Sequence, residues 1–116
     1  MAESAAVPKE DRPLPRSATI TIRDQEATPK CEVEVEPNVG RIQFVNQDDT
    51  DYRLRFWKQH TPAMDGIDVV LAAGGTLTIA IKTNDSFYFA VLNDAGLTKS
   101  GFETDIEQFA NGPIRN

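Results

Sequence analysis

The densest group of potential ligands is Asp48, Asp49 and Asp51, set in the polar run Asn46-Gln47-Asp48-Asp49-Thr50-Asp51. Such carboxylates are candidate donors for a hard cation like Ca²⁺, which takes roughly six to eight oxygens. Their spacing does not match an EF-hand loop, and Asp65, Asp68 and Glu103 join them only if folding brings them close. An acidic loop between strands also serves simply to keep a turn solvated, which is the reading adopted here. His60, the only histidine, lies in a polar loop with Thr61, Met64 and Asp65. His60 with Met64 is a candidate contact for Cu(I) or Ni(II), but soft-ligand sites usually gather more such groups, and a solvated loop histidine is the simpler assignment. Cys31, the only cysteine, is a conceivable nucleophile with His60 as its base. That chemistry also needs an orienting partner, and beside Val33 and Val35 the thiol reads as a small core residue. Gly74-Gly75 precedes a threonine-rich segment. A phosphate cradle opens a helix and carries a lysine, so this pair is expected to form a β-turn. No nucleophile, base and orienting group stand in a recognisable order, and the chain is expected to be neither an enzyme nor a cofactor binder.

These residues need a scaffold, and the hydrophobic pattern supplies one. Ala18, Ile20 and Ile22 alternate with Thr19, Thr21 and Arg23, the period of a half-buried strand. After a turn over 24–30, Cys31, Val33 and Val35 alternate with Glu32, Glu34 and Glu36, and Pro37-Asn38 ends the run. The glutamates are expected to protect an edge strand from pairing with another chain. Residues 40–45 supply a third strand with Ile42 and Phe44 inward. Tyr52, Leu54 and Phe56 against Arg53, Arg55 and Trp57 supply a fourth, whose arginines can face carboxylates of a neighbour. Residues 58–68, with Pro62 and Gly66, read as an irregular connection before the short strand Val69-Val70-Leu71 and the turn Ala72-Ala73-Gly74-Gly75. Residues 76–82 alternate again. Residues 87–92 are apolar on both faces, as a central strand is. Thr104-Asp105-Ile106-Glu107 has capping-box spacing and Asn111-Gly112-Pro113 a stop signal, predicting a helical turn near residues 105–109.

The expected fold is therefore all-β, a Greek-key β-sandwich of about seven strands with a short C-terminal helical turn. Residues 1–17, with Pro8, Pro13 and Pro15 among small and charged residues, are expected to form a flexible lead-in to one domain over 18–116. At 116 residues and 40% hydrophobic content, one core suffices without disulfide or metal.

The formal charge of −6 and the pI near 4.7 repel phosphate backbones, and the twelve Lys and Arg are scattered, so nucleic acid is not an expected partner. Within residues 1–17, Lys9, Arg12 and Arg16 balance Glu3, Glu10 and Asp11, leaving the excess charge on the domain body. No run approaches the roughly 18 apolar residues of a spanning helix, and no basic and apolar leader follows Met1, so neither membrane insertion nor secretion is expected. Taking Met1 as the native start, and with one cysteine, the expected compartment is the cytoplasm.

Ile42-x-Phe44-x-Asn46-x-Asp48, the strand begun by Tyr52, the Leu71-Ala72-Ala73-Gly74-Gly75-Thr76 turn and the aromatic strand Phe87-Tyr88-Phe89 together resemble the scaffold of the cupredoxins, small Greek-key copper proteins. The resemblance covers residues 18–96 and implies that the expected sandwich is cupredoxin-like, with an immunoglobulin-like arrangement as the other form of the same architecture. A blue-copper centre requires two His and one Cys thiolate, usually with an axial Met, whereas this chain holds one His and one Cys. Tyr52 stands where the resemblance implies the first histidine, and Asn93-Asp94-Ala95-Gly96 replaces the Cys, His and Met loop. Residue count alone excludes a type-1 copper site. The C-terminal Thr104-Asp105-Ile106-Glu107 and Asn111-Gly112-Pro113 are also similar to the endings of a family of uncharacterised small bacterial sandwich proteins, although Asp105 is not followed by proline. The expected role is a non-catalytic interaction module that presents Trp57, Phe102 and Phe109 to a protein partner. The alternative is a metal- or small-ligand-binding domain using Asp48, Asp49, Asp51 or His60.

Overall fold

The computed structural model describes residues 14–30, 33–36, 40–58, 66–81, 86–102, 106 and 109–115. Alternation of branched apolar and polar residues drives these segments into nine strands: β1 (Ser17–Arg23), β2 (Glu26–Thr28), β3 (Val33–Glu34), β4 (Arg41–Asn46), β5 (Tyr52–Trp57), β6 (Ile67–Leu71), β7 (Thr76–Ala80), β8 (Ser86–Asn93) and β9 (Asn111–Arg115). They form a four-stranded sheet in the order β2-β1-β4-β7 and a five-stranded sheet in the order β3-β9-β8-β5-β6. The pairs β1 with β4 and β3 with β9 are parallel, and the rest are antiparallel. β6 and β7 continue one into the other through the 72–75 turn, carrying the chain from one sheet to the other.

The inward period-two residues are those expected: Ile20 and Ile22, Ile42 and Phe44, Tyr52 and Leu54, Phe87, Phe89 and Val91 are all buried in one core. Phe44 stacks edge-on against Phe56 at 5.6 Å and Phe89 at 5.1 Å between ring centres, tying the sheets together. Gly40 is required where β4 begins, because a Cβ there would overlap the Val35 side chain and the Glu36 carbonyl.

Two strands depart from the sequence reading. The segment over 24–30 is a hairpin with β2 on its far side, since Asp24 and Gln25 both take positive φ (55° and 60°) and make a two-residue mirror-type turn. Asn111-Gly112-Pro113, taken as a stop signal, opens β9 instead. The β8–β9 ladder shifts register between Phe87 and Phe89, which accommodates these breaker residues. Of the predicted helical turn, residues 103–105 and 107–108 lie outside the described residues, as do Cys31 and most of the 1–17 lead-in. Its last residues are held: the Pro15 carbonyl accepts from Glu36 N at 2.8 Å and the Arg16 carbonyl from Arg41 N at 2.9 Å. No helix among the described residues is long and apolar enough to cross a membrane.

Candidate functional site

The loops at one end of the sandwich hold the acidic cluster. Asn46, buried at the end of β4, organises them: its Nδ2 donates to the carbonyls of Thr50, Leu71 and Ala72 at 2.8, 3.1 and 3.2 Å, and its Oδ1 accepts from Asp48 N at 2.9 Å. Asp48 accepts a hydrogen bond from the Tyr52 hydroxyl. That bond holds the Asp48 carboxyl below its ordinary value. Burial, and then the Asp48 acceptor, push the Tyr52 phenol up to about 12. Asp51 accepts from Ala73 N at 2.9 Å, closing the other side of the loop. Asp49 is exposed. Each of the two engaged carboxylates therefore builds a turn, and among the described residues no three His, Cys, Asp or Glu side chains gather. His60 lies outside the described residues.

The neighbouring 93–98 loop is equally self-contained. Asn93 Oδ1 accepts from Ala95 N and Leu97 N at 2.9 and 3.0 Å. Gln25 reaches across from the other sheet and donates through Nε2 to the carbonyls of Val91 and Leu97 at 3.2 and 3.0 Å. A positive φ is unusual for glutamine, and these two bonds offset the strain of that backbone.

Gln25 also lines a cleft of about 260 Å³ shared with Glu26, Lys30, Val91, Lys99, Phe109, Ala110 and Asn111. Glu26 of β2 lies on one side, and Lys99 with residues 109–111 on the other. Lys99 spans the cleft to Glu26 in an ion pair. The Lys99 hydrogen bond first, and the charges of Lys99 and Lys30 after it, hold the Glu26 carboxyl below its ordinary value. Lys30 makes no ion pair among the described residues. Among the described residues, the charged groups lining the cleft are two ammonium groups around one carboxylate.

The same segment carries the exposed aromatics. Thr98 is buried, and its hydroxyl donates to the Phe102 carbonyl at 2.8 Å while Gly101 N donates to Thr98 O at 2.9 Å. This closed turn holds Phe102 at 64% exposure, and Phe109 is 37% exposed at the cleft wall. Both rings are open to solvent. Trp57, expected to be exposed as well, is not: it is 6% exposed, packs with Ala90, Leu92 and Ile106, and stacks on Tyr88 at 6.1 Å. It does point away from the main core, as the alternation requires, but the C-terminal segment covers that face through Ile106. Lys30, Lys99 and Gln25 went unnoticed in the sequence, because they converge from positions far apart in the chain.

No family model matches the sequence, and no curated relative does. Solved structures do match in shape. A purple cupredoxin from Nitrosopumilus maritimus superposes with a TM-score of 0.55 at 9% identity, over 84% of this chain and 98% of that one. A reduced tryptophan-to-tyrosine variant of amicyanin and a Cu(I) methionine-to-alanine variant each give 0.57 at 6% identity, over 96% of this chain and 88% of theirs. The fold is cupredoxin-like. Identities this low establish the sandwich and nothing of its chemistry. Where the resemblance implies copper ligands, this cupredoxin-like chain has Tyr52 engaged with Asp48, and an Asn93 loop whose side-chain oxygen is satisfied by its own backbone. With one His and one Cys in the whole chain, these residues do not fit a copper ion.

Proposed function

We propose that this cupredoxin-like sandwich is a non-catalytic binding module for a protein partner, docking through the Thr98–Phe102 turn and the cleft beside Phe109. The observation that carries this reading is Phe102, left 64% exposed on a turn whose geometry a buried threonine specifies. A large aromatic held out on a rigid turn enters a partner's pocket at little entropic cost, which is how interface anchors work. The adjoining cleft adds polarity. Lys30 and Lys99 beside the Phe109 ring suit a partner segment that places a carboxylate next to an apolar side chain. The acidic-loop alternative draws no comparable support, because Asp48 and Asp51 are each engaged in holding a turn.

Site-specific photo-crosslinking tests the reading. A photoreactive side chain at Phe102 should capture a discrete partner from the source cell, and Lys30→Glu combined with Lys99→Glu should reduce that capture. A probe at Thr19, exposed on the opposite sheet, should not give the same adduct. Equal capture from both positions, or none from Phe102, rejects the docking face.

A further inference from the structure

The four edges of the two sheets are not alike. β2 carries Glu26, bridged to Lys99. β3 carries Glu34, paired with Arg115 at 3.8 Å, and is followed by Glu36, paired with Arg16 at 3.5 Å. β6 carries Asp68, held by Arg55. β7, the remaining edge, reads Thr-Leu-Thr-Ile-Ala and has no charge, proline or bulge. Charges and irregularities are the usual means by which an edge is kept from pairing with another chain, and this strand has none of them.

Its register says what fits it. Asn46 N donates to Gly75 O, and Ile81 N donates to Gly40 O. In an antiparallel ladder hydrogen-bonded pairs recur at every second residue, so with Phe44 opposite Leu77 and Ile42 opposite Ile79, the peptide groups of Leu77 and Ile79 point to β4. Those of Thr76, Thr78 and Ala80 point off the sheet. This outward set is symmetric about Thr78. We infer that β7 pairs antiparallel with β7 of a second copy of this chain across a two-fold axis at Thr78. Thr78 then exchanges hydrogen bonds with its own counterpart, Thr76 pairs with Ala80 of the other copy, and every outward peptide group of the strand is satisfied. The two four-stranded sheets become one continuous sheet. Leu77 and Ile79, half-buried in the monomer, face each other at the join. Although each copy is acidic overall, no like charges stand opposite each other along this strand. Edge pairing over one short strand buries less surface than a permanent dimer needs, so the dimer forms and dissociates with concentration.

Sedimentation velocity of the full chain from micromolar to near-millimolar concentration tests the inference. A shift from the 12.8 kDa monomer toward twice that mass is expected, along with slower hydrogen exchange at the Thr78 amide as concentration rises. Thr78 is exposed, so Thr78→Lys leaves the fold intact while placing two ammonium groups together at the axis. It should weaken the dimer about tenfold or more, as should Thr78→Glu, and mixing the two variants should restore it. A wild-type chain that stays monomeric throughout, or variants whose mixture does not associate, overturns the inference. So does a dimer that is indifferent to Thr78→Lys but lost in Val70→Lys on β6.

Discussion

Around the middle of β8 the five-stranded sheet is covered on both faces, while the four-stranded sheet keeps one face in water. On β8, Phe87, Phe89 and Val91 enter the main core, and Ala90 and Leu92 enter a second cluster with Trp57 and Ile106 on the far side. On β7 of the other sheet, Leu77 and Ile79 turn inward while Thr76, Thr78 and Ala80 are exposed. The difference shows in composition. β8 is apolar along nearly its whole length, whereas strands with one wet face alternate. A sandwich in which one sheet has an outer cover is in effect three layers deep there, and the described residue that makes the third layer is Ile106, which lies between Phe102 and Phe109 in the chain.

The largest effect is expected at the centre of that comparison. Phe89→Ala empties a fully enclosed position of the main core and should cost about 3–5 kcal/mol in urea denaturation, because a small core collapses only partly around the cavity. Trp57→Ala tests whether the outer cluster is a core in its own right. We expect a loss of about 3 kcal/mol, the low end for an aromatic, since this cluster borders solvent. A loss under about 0.5 kcal/mol, the range of surface positions, would reduce the outer layer to a loose flap and end the three-layer description.

Tyr52→Phe sharpens the same contrast at the loop end, with a smaller loss of about 1 kcal/mol at neutral pH for one hydrogen bond. Its pH signature is more specific. The phenol is raised from 10.0 to about 12 in the fold, so its contribution is full below pH 10 and disappears as pH climbs toward 12. Asp48 is lowered from 3.8, so its contribution is full above that value and fades as pH falls through the folded value. Tyr52→Phe should flatten the alkaline limb of a stability profile and make the acid limb shallower. The acid limb should persist in part, because the Arg55 hydrogen bond also holds Asp68 below 3.8. An unchanged alkaline limb would show that another group governs it. The smallest effect belongs to Phe102→Ser, which should alter stability by no more than about 0.5 kcal/mol. A larger loss would mean that Phe102 packs within the third layer and does not project from it.

Much of this was legible in the sequence because the period-two signal is strong where one face is wet. The alternations at Ile20 and Ile22, Ile42 and Phe44, and Tyr52 and Leu54 each predicted the inward face. The two-sided run over 87–92 predicted a central strand, and β8 lies third of five. β2 escaped because three residues are too few to show a period, and β9 because Asn, Gly and Pro at its start read as punctuation. Trp57 misled for a different reason. Alternation tells which face a residue occupies but not whether that face is wet, and the cover comes from residues far along the chain. The cleft was invisible for a related reason: Glu26 and Lys99, which meet across it, share no local pattern.

The contacts of Val35 and Glu36 carry a topological consequence. Val35 N donates to Arg115 O at 3.1 Å and Glu36 N to Pro15 O at 2.8 Å, so one dipeptide binds the chain just before its first strand and at the end of its last. Residues 15 and 115 therefore flank the same dipeptide at one place on the sandwich, where a short linker can join them. Reopening such a circle at the exposed 72–75 turn leaves every strand pairing of both sheets unbroken. A chain joined and reopened in this way should reach the same sandwich, so the order in which the ribosome delivers the strands is expected to be one of several that suffice.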